Sequence, residues 1–212
     1  MKVKADLVSL FQVPLQCLAA PEIACGSRAR PILLALESDP GISEAWVNRA
    51  GSMLAVVGSK SSSRDSRAKT VVALFEEFEK NVATETVGKA RETAATSFLS
   101  GDGWYRSAQT VSLSMEEADI IAARLVRRIQ SEVPLTDETT KALESGFAEV
   151  FKRQFTGETG QPKPVSQEPA RANVQQRNDQ LVKVARENLD EAGMTAFQEA
   201  LAKGHRPQPG EK

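Results

Sequence analysis

The stretch ACGSRARPILLALESDPG, residues 24–41, decides how the first part of the chain is read. Ile32, Leu33, Leu34 and Leu36 recur at helical spacing and predict a helix over 28–38. Pro40 and Gly41 end it, because proline has no N–H to donate and disfavours helical backbone at Asp39. A loop rich in Ala, Pro and Gly, residues 17–27, precedes the helix, and residues 10–16 predict a strand before that loop. Cys25 therefore falls at a helix N-terminus, where unsatisfied amides and the positive end of the helix dipole lower a thiol pKa. Arg28 and Arg30 push the same way. A thiolate in such a place suits a soft ion such as Cu(I), or Zn(II) with further ligands.

Downstream, residues 42–48 and 53–57 read as two strands joined through Asn48-Arg49-Ala50-Gly51, a hairpin. Residues 59–66 are a polar connector. Val71, Val72, Leu74, Phe75, Phe78 and Val82 then recur at the spacing of an amphipathic helix. Residues 81–87, with Val82, Thr84, Thr86 and Val87, favour a short strand. The predicted order is strand, helix, strand, strand, helix, strand. In a split βαβ arrangement both helices cover one face of an antiparallel sheet, which buries both apolar stripes.

Several motifs carry a resemblance. The run Cys25-Gly-Ser-Arg, the helix holding Leu33 to Leu36, Pro40-Gly41, Ala45-Trp46-Val47-Asn48, Gly51 and Ala55-Val56-Val57 resemble the heavy-metal-associated (HMA) domain of copper chaperones and metal-transporter tails. The resemblance implies a ferredoxin-like βαββαβ sandwich over residues 1–87, with a metal site in the loop before the first helix. That family carries Cys-x-x-Cys in this loop. Matched position by position, Cys25 takes one ligand place and Arg28 stands at the other. Cys17, eight residues earlier, is the candidate second ligand within the chain. Two chains supplying one Cys25 each are the alternative.

From Gly88 the pattern becomes helical, which makes the expected fold class α+β: a sandwich followed by an α-helical region. Residues 88–156 read as a helical domain. Within it, Ser114-Met115-Glu116-Glu117 forms a capping box ahead of Ile120, Ile121, Leu125, Val126 and Ile129. Residues 157–171, rich in Gly and Pro, read as a linker, 172–203 as C-terminal helices broken near Gly193, and 204–212 as a disordered tail.

Composition narrows the function. The 212 residues are 41% apolar and 26% charged, with 27 Lys and Arg against 28 Asp and Glu. That balance provides no long-range attraction to nucleic acid or to an anionic membrane. No apolar run approaches the roughly 18 residues needed to span a bilayer. Asp6, Gln12, Pro14 and Gln16 interrupt the first apolar stretch, so it reads as a strand rather than an export signal. The expected location is cytoplasmic, where both cysteines stay reduced.

His205 is the single histidine and lies in the predicted tail, so no Ser-His-Asp or Cys-His set can be assembled. Asp102 fits a loop, and Glu116 and Glu117 fit the capping box. Gly101-Asp102-Gly103 is too short to cradle phosphate. Arg124, Arg127 and Arg128 read as a solvated helix face, and Trp104 and Tyr105 as core packing. A thiol redox enzyme is disfavoured, since no second cysteine stands at Cys-x-x-Cys spacing. The expectation is a non-enzymatic, metal- or thiol-linked binding protein with Cys25 and Cys17 as ligands. Its helical part would bind a protein partner or form a homodimer. The alternative is a scaffold or regulatory interaction module with a degenerate HMA-like domain that binds no metal.

Overall fold

In the computed structural model, which describes residues 4–79, 83–156 and 171–211, the chain is mixed α and β. Its contacts divide into two units, one of Met1–Cys17 with Pro21–Leu113 and one of Leu18–Ala20 with Ser114–Lys212.

The first unit is built on a five-stranded antiparallel sheet. Strand β1 (Val8–Gln12) leads to helix α1 (Gly26–Glu37), the hairpin β2 (Ile42–Asn48) and β3 (Met53–Gly58), helix α2 (Arg64–Phe78) and β4 (Thr84–Glu85). Helix α3 (Gly88–Ser100) and strand β5 (Trp104–Tyr105) follow. The sheet order is β4-β1-β3-β2-β5. Asn48 shapes the hairpin turn: its side-chain oxygen accepts from the amides of Ser52 and Met53 at 3.0 and 2.9 Å.

Alternation along the strands gives the sheet two apolar faces. Phe11, Leu54 and Val56 join Ile32, Leu33 and Leu36 of α1 and Val71 and Phe75 of α2 in one core. Val8, Leu10, Ala55 and Val57 point the other way and pack with Phe98 of α3 and Trp104 of β5. Both faces are thus covered, which is why β1 and β3 read as nearly continuous apolar runs.

The expected four-stranded βαββαβ sandwich differs from this arrangement. Strands and helices go on interleaving after β4: α3 covers the second sheet face, and β5 pairs with β2 at Val47↔Tyr105 and Asn48↔Trp104. The first unit consequently runs to Leu113, beyond the expected boundary at residue 87. Of the strand read over 81–87, residues 81 and 82 lie outside the described set, and the rest contributes Thr84–Glu85. The linker read over 157–171 lies almost wholly outside it too.

The second unit is helical. Helix α4 (Thr110–Gln130) runs across the division between the units, and α5 (Asp137–Thr156), α6 (Arg171–Asn188) and α7 (Glu191–Ala202) follow. Ile121, Leu125 and Ile129 of α4, Phe147 and Phe151 of α5, Leu181 of α6 and Phe197 of α7 share one core. The capping box expected at Ser114 is not a helix start, because α4 begins four residues earlier and Ser114 is buried inside it. The break expected at Gly193 falls before it. Asp190 caps α7 by accepting from the Gly193 amide at 2.8 Å, and Gly193 packs against Leu189.

The stretch from Gly204, expected to be disordered, is held in place over 204–211. Arg128 donates to the Glu211 carboxylate through Nε and Nη2, both at 2.8 Å, and to the Gly204 and Arg206 carbonyls. Arg124 donates to the His205 carbonyl at 2.8 Å. Among the described residues, no helix is long and apolar enough to cross a membrane.

Candidate functional site

Beyond β1 the chain stays extended although the ladder is interrupted. Pro14 has no N–H to contribute, but the amides of Val13 and Leu15 donate to the carbonyls of Ser52 and Gly51 at 3.0 and 2.8 Å. Gly51 makes this approach possible. Its φ is +68°, and a Cβ there would stand 2.6 Å from the Leu15 carbonyl group.

The extension then pairs with the segment leading into α1. Gln16 and Ala24 form an antiparallel bridge. The Cys17 amide donates to the Ile23 carbonyl at 2.9 Å, and the Cys25 amide donates to the Leu15 carbonyl at 2.8 Å. In this register Cys17 and Cys25 are diagonal neighbours on one face of the small ladder. Their sulfurs lie within 4.8 Å of each other. Both residues are buried, Cys17 at 2% exposure and Cys25 at 8%, and neither is in a disulfide.

Cys25 is the N-cap of α1. Its thiol pKa is lowered from 9.0 to about 6. The largest cause is a hydrogen bond with Cys17; burial opposes it, and hydrogen bonds from Ser27 and the Arg28 amide, with the Arg28 charge, lower it further. Cys25 Sγ lies 3.3 Å from Ser27 Oγ.

Arg28, which stands where the HMA pattern places its second thiol, does structural work instead. Its guanidinium donates to the carbonyls of Pro14 and Gln16 at 2.9 and 3.2 Å. It also pairs with the Glu79 carboxylate, Nε lying 3.1 and 3.3 Å from the two oxygens. Glu79 caps the C-terminus of α2. Arg28 therefore ties the Cys17 segment to α1 and α2. Nothing in the sequence marks Glu79 as its partner, 51 residues away.

The 4.8 Å limit on the separation of the sulfurs leaves room for a shared soft ion. A tetrahedral ion with metal–sulfur bonds of about 2.3 Å separates two ligand sulfurs by about 3.8 Å, and a linear two-coordinate ion with the same bonds separates them by about 4.6 Å. Both spans fall within the observed limit.

The remaining sequence candidates have structural places. Arg124 and Arg128 are buried and grip backbone carbonyls, so only Arg127 of that trio is the solvated residue expected. Burial together with the positive charges of Arg177, Arg128 and Arg124 lowers the His205 pKa to about 4. Its ring packs edge-on against Phe151. Asp102 is exposed in the turn before β5. Trp104 is buried edge-on to Phe98. No family model, curated protein or solved structure matches this chain.

Proposed function

We propose that this chain is a non-enzymatic soft-metal-binding protein whose ligands are the Cys17 and Cys25 thiolates. One observation carries the reading: two sulfurs from opposite segments of a small ladder lie within 4.8 Å of each other, one of them with a depressed pKa. Cu(I) fits a two-sulfur site, whereas Zn(II) needs further ligands. Because Cys17 supplies the second sulfur, one chain suffices for a dithiolate, and no second copy is needed to complete it.

The proposal extends to the fold of residues 8–85 as an HMA-like, ferredoxin-like sandwich. It is supported by the sheet order β4-β1-β3-β2 and by the sharing of one core between α1 and α2. Cytoplasmic residence, where the thiols stay reduced, and a protein partner for the helical part belong to the same reading.

Titration of the reduced full-length protein with Cu(I) and Zn(II), in competition with a chelator, tests it. We expect one Cu(I) per chain, with a thiolate-to-metal absorption band, and loss of both in Cys25→Ser and in Cys17→Ser. Bound metal at 100 times its dissociation constant should stabilise the fold by about 2.7 kcal/mol. Absence of binding, or equal binding by Cys25→Ser, would overturn the reading. The second reading, an interaction module that binds no metal, would then stand; the engagement of Arg28 with Pro14, Gln16 and Glu79 favours it.

A further inference from the structure

The same two sulfurs can undergo a chemistry that needs no metal. We infer that Cys17 and Cys25 form a reversible dithiol–disulfide switch, in which Cys25 reacts first with a low-molecular-weight disulfide such as oxidised glutathione and Cys17 resolves the adduct. The inference shares its sulfurs with the metal reading, but its chemistry and its test use no metal.

Geometry assigns the roles. The sulfurs are within 4.8 Å, and they lie diagonally on one face of paired extended segments. Rotation about the side-chain bonds and a small approach of the two segments would bring them to the roughly 2 Å of a disulfide. The backbone bonds Cys17 N–H to Ile23 O and Cys25 N–H to Leu15 O hold the segments together in the reduced state. Arg28 anchors the Cys17 side through the Gln16 carbonyl. Cys25 is the more exposed of the two, at 8% against 2%. It stands at the N-cap of α1, with its Sγ 3.3 Å from Ser27 Oγ. Cys25 is thus the attacking sulfur and Cys17 the resolving one.

The steps balance. The Cys25 thiolate attacks one sulfur of oxidised glutathione, forming a mixed disulfide and expelling one glutathione thiolate. Cys17 loses its proton to solvent and attacks Cys25 Sγ. The bond to glutathione breaks, a second glutathione thiolate leaves, and the Cys17–Cys25 disulfide forms. The protein gives up two electrons, and oxidised glutathione is reduced to two thiols. While the disulfide persists, neither sulfur is a thiolate that can hold a soft ion. A chemical reductant restores both.

Intact-mass analysis of the metal-free, full-length protein after incubation with oxidised glutathione at neutral pH tests this. Wild type should lose two hydrogens, retain no glutathione and return to its starting mass with dithiothreitol. Cys17→Ser should stop at a stable adduct of one glutathione on Cys25. Cys25→Ser should react at least about tenfold more slowly, since its remaining thiol, Cys17, is the more deeply buried of the two. A persistent glutathione adduct on wild type would overturn the proposal. So would a wild type that stays unmodified under conditions where the urea-unfolded chain reacts. A chain that binds Cu(I) but forms no internal disulfide loses this inference alone, and one that oxidises but binds no metal loses only the metal reading.

Discussion

Cys25 owes its low proton affinity first to Cys17 and only then to the start of α1. This ordering makes a residue-level prediction. The rate of Cys25 alkylation by iodoacetamide should rise with pH around a midpoint near 6 in wild type. Cys17→Ala removes the largest favourable contribution while leaving burial in place, so its midpoint should move upward toward the ordinary value of 9.0. An unchanged midpoint would assign the depression to the helix N-terminus alone. The same shift links to stability. The folded-state pKa lies below the unfolded one, so the thiolate stabilises the fold fully above pH 9, and this contribution is lost as pH falls toward 6. The position of Cys25 at the start of α1 was legible from the residues around it. The partner that tunes it was legible only as a candidate, because the register that sets Gln16 against Ala24 depends on Gly51 approaching Leu15.

At the scale of elements, α3 is the part whose place could not be read in advance. Its residues predict a helix, and it is one, yet its sequence does not say which surface it covers. Phe98 decides that. It is fully buried, with its ring centroid 6.1 Å from that of Trp46 and 5.2 Å from that of Trp104, both edge-on. Truncation to Phe98→Ala should cost about 3–5 kcal/mol. Urea unfolding followed by tryptophan emission should show a lower midpoint and altered native emission, since both tryptophans of the chain flank the ring. A change within about 0.5 kcal/mol would mean that α3 is not packed on the sheet. Nearby, Glu37 of α1 accepts from Arg106 at 2.9 Å and from Ser107 at 2.5 Å, which ties the segment after β5 to α1 across 69 and 70 residues of chain.

At the scale of the whole molecule, acid should loosen the second unit in two stages. His205 has a folded pKa of about 4 against 6.5, so the unfolded chain binds the proton more readily. Its contribution is complete above pH 6.5 and is lost as pH falls toward 4, an effect of about 1–3 kcal/mol. Glu211, held near 2 chiefly by its hydrogen bonds with Arg128, adds a second loss between 4.5 and 2. Chemical denaturation across pH should show a progressive fall in wild type. His205→Gln should lose the fall between 6.5 and 4.5, and Glu211→Gln should be less stable at pH 7 with a weaker acid response below 4.5. Equal pH profiles in all three proteins would refute the assignment.

The sequence by itself determined that α1 stops short of Pro40 and Gly41, its last residue being Glu37, and where the hairpin turns, at Asn48 to Gly51. It also determined the amphipathic stripes of α2, α4 and α5. These features depend on proline chemistry, turn residues and apolar periodicity, which act over a few residues. Tertiary structure alone decided that Cys17 lies beside Cys25, that Arg28 finds Glu79, that α3 and β5 extend the first unit, and that Arg128 gathers residues 204–211. Each of these depends on groups distant in the chain or on the register between paired segments: 51 residues separate Arg28 from Glu79 and 83 separate Arg128 from Glu211. Buried arginines look in sequence like solvated ones, because what distinguishes them is the set of carbonyls and carboxylates that folding brings around the guanidinium.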